Sequence, residues 1–569
     1  MTTFKDEKKE SEYKKKLADL HAKEAEELAQ IISNRYNLPY VDLSKISINT
    51  DALKMIPKEE ARAAGAACFS INGKKLSIAV NSPEKDKVKE IIKDFERNNF
   101  KVIIYVSSTN SLESAWKYYG EISKSEKTEG GLIDISDEAI NDIINKLNNI
   151  SDIEKEINQS VEKNLQSGGI SDLLEIILSG GLATGASDIH LEPDEEVVRL
   201  RYRIDGILQI VSKFNLKIYK QILSRIKLVS GLKLNITKTS QDGRFSIKAG
   251  DNEIEIRTSV VPGPYSESVV MRILNPESIK VSFEDLGIDK ELFEIFDREI
   301  RKPNGMVLLT GPTGSGKTTT LYAFLRKINT SENKTITIED PIEYHLAGIN
   351  QTQVDHKKNY TFLSGLRAAL RQDPDVIMVG EIRDPETANV AINASLTGHM
   401  VFSTLHTNNA AGAIPRLIDL KINPKILTSG LTMPIAQRLV RKLCQNCKQK
   451  APISDWEKDL FEKIMASIKK KKPNIDAIVP EEVFVASEKG CEKCHHTGYS
   501  GRQGLFEAIL MDEAVSKVAI ENPNEKEIKM AAIPQGILDM RQDGILKVLE
   551  GVTSLKEVGR VVDLNEDII

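Results

Sequence analysis

Residues 303–322, PNGMVLLTGPTGSGKTTTLY, constrain the fold of this chain more than any other stretch. An apolar run leads into a glycine-rich turn, which is followed at once by residues that favour a helix. The turn, Gly311–Thr318, fits the pattern G-x-x-x-x-G-K-[ST] in its required context between a strand and a helix. Its glycines let several backbone N–H groups face one anion, and the helix dipole adds to their field. The sequence therefore predicts a phosphate-binding loop in an α/β domain.

The residues of this loop have separate expected roles. Lys317 brings a positive charge to the β and γ phosphates of a nucleotide, and Thr318 can ligate Mg²⁺. The predicted nucleotide-binding set is Gly311, Pro312, Thr313, Gly314, Ser315, Gly316, Lys317, Thr318 and Thr319. The alternative is a glycine-rich turn without a ligand, which the full match of motif and context disfavours.

A second apolar run, DPDVIMVGEIRD at residues 373–384, ends in Gly380 and Glu381. A short apolar run bounded by turn-forming residues is typical of a buried strand. Because this strand follows the phosphate loop in the same domain, we predict that Glu381 is a general base that orients the attacking water. Nucleotide hydrolases often carry Asp before this Glu, where this chain has Gly380. The alternative for Glu381 is an ordinary surface carboxylate at the end of a strand.

The rest of the chain divides into regions of distinct composition. At about 150 residues per domain, 569 residues correspond to three to four domains. The first α/β region opens with a charged amphipathic helix at 5–35, whose predicted apolar face carries Leu17, Leu20, Leu28, Ile31 and Ile32. A polar stretch with a possible helix at 138–157 predicts a linker. The predicted boundaries are 1–120 for the first domain, 121–167 for the linker, 168–280 for a second α/β domain and 281–569 for the phosphate-loop domain.

Charge and hydropathy disfavour some classes of protein. The net charge is −5, so no general attraction draws the chain to nucleic acid or to an anionic membrane. No apolar stretch reaches the ~18 residues that a membrane-spanning helix needs. The charged start, MTTFKDEKKESEYKKKL, lacks the apolar region of a signal peptide. We therefore expect a cytoplasmic protein without a transmembrane segment.

Four of the five cysteines form two pairs, Cys444-x-x-Cys447 and Cys491-x-x-Cys494. Each pair folds into a tight turn that presents two sulfurs, and two such turns suit a closed tetrahedral zinc site. Disulfides are disfavoured in a cytoplasmic chain, and a redox role is disfavoured because two pairs occur without thioredoxin-like surroundings. The run Lys469–Lys472 between the pairs is predicted to be a solvated charged segment, with contact to an acidic partner or lipid head groups as the alternative.

Further segments occur together in one order along the chain. They are ASDIHLEP at 186–193, RYRIDG at 201–206, QDGR at 241–244, TIEDPIEY at 337–344, LRQDPDVIMVGEIRD at 370–384 and TGHMVFSTLHT at 397–407. With the phosphate loop, these segments make the chain resemble the type II secretion and type IV pilus assembly ATPases over about residues 35–120 and 168–569. That family also carries glycine before the strand glutamate, so Gly380 is a family trait.

The resemblance implies a multidomain α/β fold. Its main part is a RecA-like P-loop ATPase domain with a zinc-binding insert at 444–494. A PAS-like α/β domain precedes it, and before that lies a small N-terminal α/β domain that docks on a membrane platform. Retraction ATPases lack the N-terminal module and the insert, so their presence here implies an assembly motor.

The resemblance implies a function as well. The chain is expected to be a homohexamer that hydrolyses ATP with Mg²⁺, holds a structural Zn²⁺ and extends a pilus or pseudopilus. It is expected to act with an inner-membrane platform protein, peripherally at the inner face of the cell membrane. The alternatives are a conjugation-type or DNA-translocating ring ATPase and a nucleotide-binding scaffold without turnover. The acidic balance disfavours the DNA-translocating alternative, so we expect no nucleic-acid partner for this chain. Intact Lys317 and Glu381 disfavour the scaffold.

The family gives several other residues candidate roles near the nucleotide. The acidic box TIEDPIEY offers Glu339, Asp340 and Glu343 near Mg²⁺, with Glu343 favoured as the auxiliary acid. His399 and His406 flank an apolar strand, and their place in the histidine box favours a site role. His406 is the candidate for sensing the γ-phosphate, whereas Glu381 keeps the role of the base.

Four arginines are expected to bring positive charge to the transition state: Arg244, Arg257, Arg367 and Arg371. Arg367 and Arg371 are four residues apart and are predicted to share one helix face. Their alternative is a solvated face with salt bridges to acidic residues. Arg244 and Arg257 belong to the second domain, so they reach the nucleotide only if that domain closes over it.

Overall fold

The computed structural model describes residues 24–564 except for 47, 49, 54, 73–74, 98–99, 126–131, 134–149, 168–169, 250–251, 276–280, 474 and 476–478. The chain forms two compact units. Unit 1 comprises Met1–Ile204 and Leu208–Ile273, and unit 2 comprises Asp205–Ile207 and Leu274–Ile569. Within the described part of the chain, every helix is too short or too polar to cross a membrane.

Unit 1 is a mixed α/β structure. Its described helices are α1 (24–36), α2 (Thr50–Leu53), α3 (Lys58–Ala64), α4 (Asp86–Arg97), α5 (Thr109–Ser125), α6 (Ile150–Ser167), α7 (Ile170–Ala183) and α8 (Leu216–Val229). Its strands are β1 (Ala66–Asn72), β2 (Lys75–Val80), β3 (Lys101–Val106), β4 (Leu132–Ile133), β5 (Asp188–Pro193), β6 (Val197–Ile204), β7 (Ile207–Asn215), β8 (Gln241–Ala249), β9 (Asn252–Val261) and β10 (Ser268–Leu274).

The strands of unit 1 form two sheets with separate apolar clusters. One sheet has the order β1-β2-β3, and the other has the order β4-β8-β9-β10-β5-β6-β7. The sequence of β6, VVRLRYRI, explains the layering of the larger sheet. Val198, Leu200 and Tyr202 are buried, and the arginines between them point to the other face, as alternation along a strand with one covered face requires.

The apolar face predicted for the first helix is not the buried face. In α1, Leu28 and Ile31 are 58% and 63% exposed, whereas Ala29 and Ser33 are buried. Polar contacts orient the helix: the Glu26 carboxylate accepts hydrogen bonds from the hydroxyl groups of Tyr40 and Ser108. Ile32, also on the predicted face, is half-buried, and its remaining members, at positions 17 and 20, lie outside the described residues.

The segment predicted as a polar linker contains ordered structure where it is described. Strand β4 pairs in parallel with Ser246 and Ile247 of β8, and α6 packs against the larger sheet's core with Ile153 and Ile157 fully buried. Two isoleucines one helical turn apart are enough to attach an otherwise polar helix. Residues 150–157 are therefore not linker, and much of the remaining segment, including most of the possible helix at 138–157, lies outside the described residues.

Unit 2 contains the phosphate loop. Its helices are α9 (Lys290–Ile300), α10 (Lys317–Ile328), α11 (Phe362–Ala369), α12 (Pro385–Leu396), α13 (Ala413–Asp419), α14 (Pro424–Gly430), α15 (Asp455–Lys471), α16 (Glu513–Glu521), α17 (Glu525–Ala532), α18 (Met540–Leu549) and α19 (Leu555–Val561). Its strands are β11 (Gly305–Thr310), β12 (Thr335–Glu339), β13 (Asn350–Gln353), β14 (Val376–Val379), β15 (Met400–Leu405), β16 (Leu431–Leu443), β17 (Gln449–Pro452), β18 (Glu482–Val485) and β19 (Tyr499–Ala508).

The main sheet of unit 2 has the order β13-β12-β14-β15-β11-β16-β19. All neighbours are parallel except β16 and β19. Every residue of β11, β14 and β15 is buried, as expected for parallel strands covered on both faces. The predicted α/β class is confirmed, and the carboxyl ends of β11, β15 and β14 meet at one edge of the sheet.

Candidate active site

The phosphate loop follows β11 directly. Gly311, Gly314 and Gly316 have φ angles of 144°, 80° and 88°, which side-chain-bearing residues rarely adopt. Helix α10 begins at Lys317, and no described side chain caps its N-terminus. Its first N–H groups therefore face the loop, in the arrangement that binds phosphate.

Lys317 lies over the loop that precedes it. Its Nζ donates hydrogen bonds to the carbonyl oxygens of Gly311 at 2.8 Å and Pro312 at 3.0 Å. Burial lowers the pKa of the Lys317 ammonium below its ordinary value; Glu381 opposes this shift and the charge of Arg438 adds to it. The ammonium is thus held beside the loop, within electrostatic reach of the predicted base.

Glu381 follows the end of β14, one strand away from the histidine-bearing strand. The segment is held by the Thr404 hydroxyl, which donates to the Gly380 carbonyl at 2.7 Å. The Glu381 carboxylate contacts Arg383 Nη2 at 2.5 Å and His406 Nε2 at 3.6 Å. The structure therefore brings Lys317, Glu381 and His406 to one edge of the sheet. Arg383 was missed in the sequence, although its position two residues after Glu381 was a usable signal.

Packing accounts for the glycine that stands where other hydrolases have Asp. A Cβ atom at Gly380 would lie 3.2 Å from the ring of Phe362 and 3.3 Å from the Ile338 carbonyl oxygen. Both distances are shorter than ordinary van der Waals contact. A carboxylate at this position would require its neighbours to move, so the fold itself favours glycine here.

One carboxylate of the acidic box, that of Glu339, accepts hydrogen bonds at both of its oxygens. Glu339 is buried, and its oxygens accept hydrogen bonds from Tyr322, Thr337 and Gln351. These contacts give the Glu339 carboxylate a structural role, and its suggested place near Mg²⁺ stays a prediction. Thr337 belongs to the box itself, but Tyr322 and Gln351 come from other elements, so the sequence pattern did not reveal those two contacts. The role of half-buried Glu343 stays a prediction.

His399 does not belong to the site. It precedes β15, whereas His406 follows that strand, so the two lie at opposite edges of the sheet. The Nδ1 atom of His399 contacts the Ala394 carbonyl oxygen at 3.0 Å and the Thr397 hydroxyl at 3.4 Å. The expectation that both histidines favour a site role is therefore wrong for His399.

The two arginines after the acidic box do not share one regular helix. Helix α11 ends at Ala369, and Arg371 lies in the 3₁₀ turn Leu370–Gln372. Arg367 and Arg371 are both exposed, and neither forms an ion pair with another described residue. The predicted role of these two arginines at the transition state stays a prediction.

Arg244 and Arg257 lie directly opposite each other on β8 and β9 of unit 1. Like charges at opposed positions of a ladder are unfavourable. Glu255 offsets the repulsion, because its carboxylate lies 3.2 Å from Arg257 Nε and 4.0 Å from Arg244 Nη1. The two arginines thus form one concentrated patch of positive charge.

The four paired cysteines form one cluster, and their ligand atoms all lie within 4.8 Å of one another. The Sγ–Sγ distances are 3.7 Å for Cys444–Cys491, 3.8 Å for Cys447–Cys494 and 3.7 Å for Cys491–Cys494. Four sulfurs at about 2.3 Å from a tetrahedral zinc ion stand about 3.8 Å apart. The donor set therefore fits Zn²⁺.

Backbone groups support this cluster. The N–H groups of Cys491 and Gly498 each donate to Cys494 Sγ at 3.2 Å. Burial opposes ionisation, but these N–H groups, together with side-chain hydrogen bonds with Cys491 and Cys447, outweigh it and lower the pKa of Cys494 to about 7. A thiolate is the form that binds zinc.

Half of the lysine run in the insert is not solvated. Lys471 Nζ donates to the Ile537 carbonyl at 3.1 Å and to Gln542 Oε1 at 3.0 Å. Lys472 Nζ pairs with Asp289 at 2.7 Å and Glu291 at 2.9 Å. The expectation of a fully solvated run is wrong for these two residues, because their partners lie far away in the sequence.

Comparison with known proteins links these features to one family. The family model described as "Type II/IV secretion system protein" matches residues 163–560, and the MshEN domain model matches residues 36–125. Type II secretion system protein E of Aeromonas hydrophila is 45% identical over 389 residues, 68% of this chain and 75% of that protein. Type IV pilus assembly ATPase PilB of Myxococcus xanthus is 34% identical over 543 residues, 94% of this chain and 91% of that protein.

Solved structures overlap the chain in part. The ATPase DotB of Legionella pneumophila is 22% identical, covering 68% of this chain and 95% of that one, with a TM-score of 0.49. The pilus retraction motor PilT with bound ADP is 26% identical, covering 68% of this chain and 96% of that one, with a TM-score of 0.45. Family membership rests on the sequence relatives.

Proposed function

This chain belongs to the family of type II/IV secretion system proteins and is a motor ATPase of the secretion and pilus assembly class; from that membership we propose how it works. The protein acts as a homohexamer that couples ATP hydrolysis to extension of a pilus or pseudopilus. The observation that carries this proposal is the convergence of Lys317, Glu381 and His406 at one sheet edge. A cation, a base and a candidate sensor at the carboxyl ends of parallel strands suit phosphoryl transfer.

The proposed chemistry assigns one task to each group of this edge. The loop N–H groups and Lys317 hold the phosphates, and the Glu381 carboxylate accepts a proton from the attacking water. Arg383 and His406, which both contact that carboxylate, keep it oriented. Mg²⁺ supplies charge neutralisation on the phosphate oxygens. The half-buried Thr318 is free to ligate it, because its hydroxyl makes no hydrogen bond to another described residue.

Four arginines complete the proposal for the transition state. We assign Arg244, Arg257, Arg367 and Arg371 to the charge that develops on the transferred phosphoryl group, with Glu343 as the auxiliary acid. The opposed pair Arg244 and Arg257 supports this assignment, because the two guanidinium groups share one carboxylate, Glu255, and so keep a net positive charge. In this proposal the second domain closes over ATP, and hydrolysis releases it.

The cysteine cluster is proposed to hold a structural zinc ion. All four positions of a tetrahedral site are protein thiolates, so the ion has no open position for water or substrate. The cluster joins the end of β16 to the turn before β19. Zinc would therefore close the insert onto the sheet and do no chemistry.

Alignment coverage favours the pilus machine as the one this motor serves. The relative named as a pilus assembly ATPase aligns over 94% of the chain, whereas the type II secretion protein of Vibrio cholerae aligns over 71%. We propose that the protein works at the cytoplasmic face of the inner membrane with a platform protein. Deleting the gene in its host tests this: loss of surface pili with unchanged secretion supports it, and loss of secreted enzymes with pili intact contradicts it.

The experiment that tests the motor proposal measures hydrolysis by the purified full chain. We expect ATPase activity to elute with a hexamer and to be unaffected by DNA. Stimulation by DNA would instead favour a DNA-translocating ring ATPase. Nucleotide-dependent assembly without turnover would favour a scaffold.

A further inference from the structure

Arg438 is a buried cation next to the phosphate loop, and the sequence reading did not single it out. It lies on β16 and is 9% exposed. A Cβ atom at Gly311 would lie 3.1 Å from Arg438 Nη1 and 2.7 Å from the Gln437 carbonyl oxygen. The guanidinium therefore packs directly against the first glycine of the loop, on a strand that is hydrogen-bonded to β11.

The same guanidinium also holds the segment that follows His406. Arg438 Nη2 donates to the Asn408 carbonyl at 2.7 Å, and Nη1 donates to the Gln437 carbonyl at 3.0 Å. A further link joins the strand before the loop to this segment, since the Thr310 hydroxyl donates to the Asn409 carbonyl at 3.4 Å. One side chain thus contacts both the phosphate loop and the chain that leads from the candidate sensor.

The charge of Arg438 is poorly compensated. Among the described residues it forms no ion pair; the carboxyl group that acts on it electrostatically is Glu507. Glu507 is half-buried; desolvation raises the pKa of its carboxyl group, against hydrogen bonds from the N–H groups of Ala410 and Met540. Burying a charge without an ion-pair partner is costly. A guanidinium kept here in spite of that cost is expected to act on an anion.

We propose that Arg438 is a positioning residue that holds the phosphate loop against segment 406–409 and adds its charge to that of Lys317 toward the phosphates of the nucleotide. The inference rests on the proposed function and extends it to a residue outside the phosphate loop. It predicts that Arg438 acts through the phosphates and not through the adenosine moiety.

Arg441 provides a matched control on the same strand. Its Nη2 pairs with Glu557 at 2.5 Å, and its guanidinium lies 4.0 Å from the ring centroid of Tyr499. It is therefore a compensated arginine that ties two elements together. Removing its charge is expected to lower thermal stability without changing the affinity for phosphates.

The test compares Arg438→Gln, Arg438→Lys and Arg441→Gln in the full chain. Binding of a fluorescent ATP analogue is titrated, and bound analogue is then displaced with inorganic pyrophosphate, which carries phosphates but no adenosine. For Arg438→Gln we expect the Kd for the analogue and the Ki for pyrophosphate to rise about 10- to 100-fold, the size expected for loss of a charged hydrogen-bond donor. Arg438→Lys restores part of the pyrophosphate affinity because it keeps the charge, and Arg441→Gln leaves it within about twofold.

Pyrophosphate affinity within twofold of wild type in folded Arg438→Gln overturns the proposal. So does an equal loss in Arg438→Lys and Arg438→Gln, since the charge would then have no role. If Arg438→Gln does not fold, Arg438→Lys alone decides: a rise in Ki of about three- to tenfold supports the proposal, and no rise overturns it. These binding measurements need no ATP hydrolysis, so they can refute the role of Arg438 while the motor proposal stands. The motor proposal is refuted by a different result, a lack of ATP hydrolysis by the wild-type protein.

Discussion

The phosphate-loop edge and the cysteine cluster both belong to unit 2, and they satisfy their polar groups in opposite ways. In the cluster, four sulfurs face one another and the backbone donates to one of them. At the phosphate-loop edge, the Lys317 ammonium donates hydrogen bonds to two loop carbonyls, and the His406 side chain remains 53% exposed. A closed donor set stabilises a fold, whereas an open set of charges is prepared for a substrate. The two regions should therefore respond differently to mutation.

The largest effect on turnover is expected for Lys317→Ala. Removing the ammonium takes away the charge closest to the phosphates, so kcat/KM for ATP should fall by about 1,000-fold, near the upper end for loss of one preorganised charge. The melting temperature should barely change, because the hydrogen bonds of this ammonium to described residues go to two loop carbonyls alone. Steady-state hydrolysis measures the change in kcat/KM, and a thermal melt measures the change in melting temperature. A large loss of stability would contradict the view that the phosphate-loop edge serves the substrate and not the fold.

Arg244→Ala and Arg257→Ala are expected to lower kcat by about 100-fold each while the protein remains hexameric. Each substitution also relieves the repulsion between the opposed arginines, so stability should hold or rise slightly. Hydrolysis assays on the hexamer fraction give the result. Arg199→Ala, on the same sheet, is the control, since among the described residues the ion pair of Arg199 is with Asp194, at 3.5 Å. Normal rates in both test variants would show that closure of the second domain is not needed.

Cys491→Ser is expected to act on stability. Elemental analysis should find about one zinc per chain in the wild type and much less in the variant. The melting temperature should drop by several degrees, because a structural zinc contributes directly to folding. The ATPase rate of the protein that remains folded should stay within about twofold of the wild type. A variant with normal stability and no turnover would place the cluster in the chemistry.

The smallest effect is expected for Arg383→Ala. Arg383 contacts Glu381 from a largely exposed position, and exposed ion pairs contribute little. We expect kcat to fall by about two- to fivefold, which corresponds to an orienting contact of about 0.4 to 1 kcal/mol. Rate assays at low and high salt provide the check, since salt should reduce the difference between variant and wild type.

The same contrast explains how much of the site could be predicted from the sequence. The phosphate loop and the cysteine pairs are local patterns whose geometry follows from spacing, and Glu381 follows from a short strand in the right place. The contacts of Glu339 and Lys472 could not be predicted because they involve remote residues: Gln351 joins Glu339 from another strand, and Asp289 lies 183 residues from Lys472. Strand direction alone would have separated His399 from His406, because the ends of one parallel strand lie at opposite edges.

The fold shows a similar division. The strands of unit 2 are continuous apolar runs, and such runs predict buried parallel strands directly. Helix α6 offered only sparse isoleucines in a polar segment, so its attachment depended on a core that other residues build. The orientation of α1 depends on hydrogen bonds that Glu26 accepts from residues outside the helix. The spacing of apolar residues along the helix cannot predict such contacts.

The assignment of Glu381 as the base is the central claim, and Glu381→Gln tests it most directly. The amide keeps the shape of the side chain but cannot accept a proton from water at neutral pH. We predict that the variant binds ATP with a Kd within about threefold of the wild type and that single-turnover hydrolysis is about 100- to 10,000-fold slower. Hydrolysis at the wild-type rate would contradict the account and remove Glu381 from the mechanism.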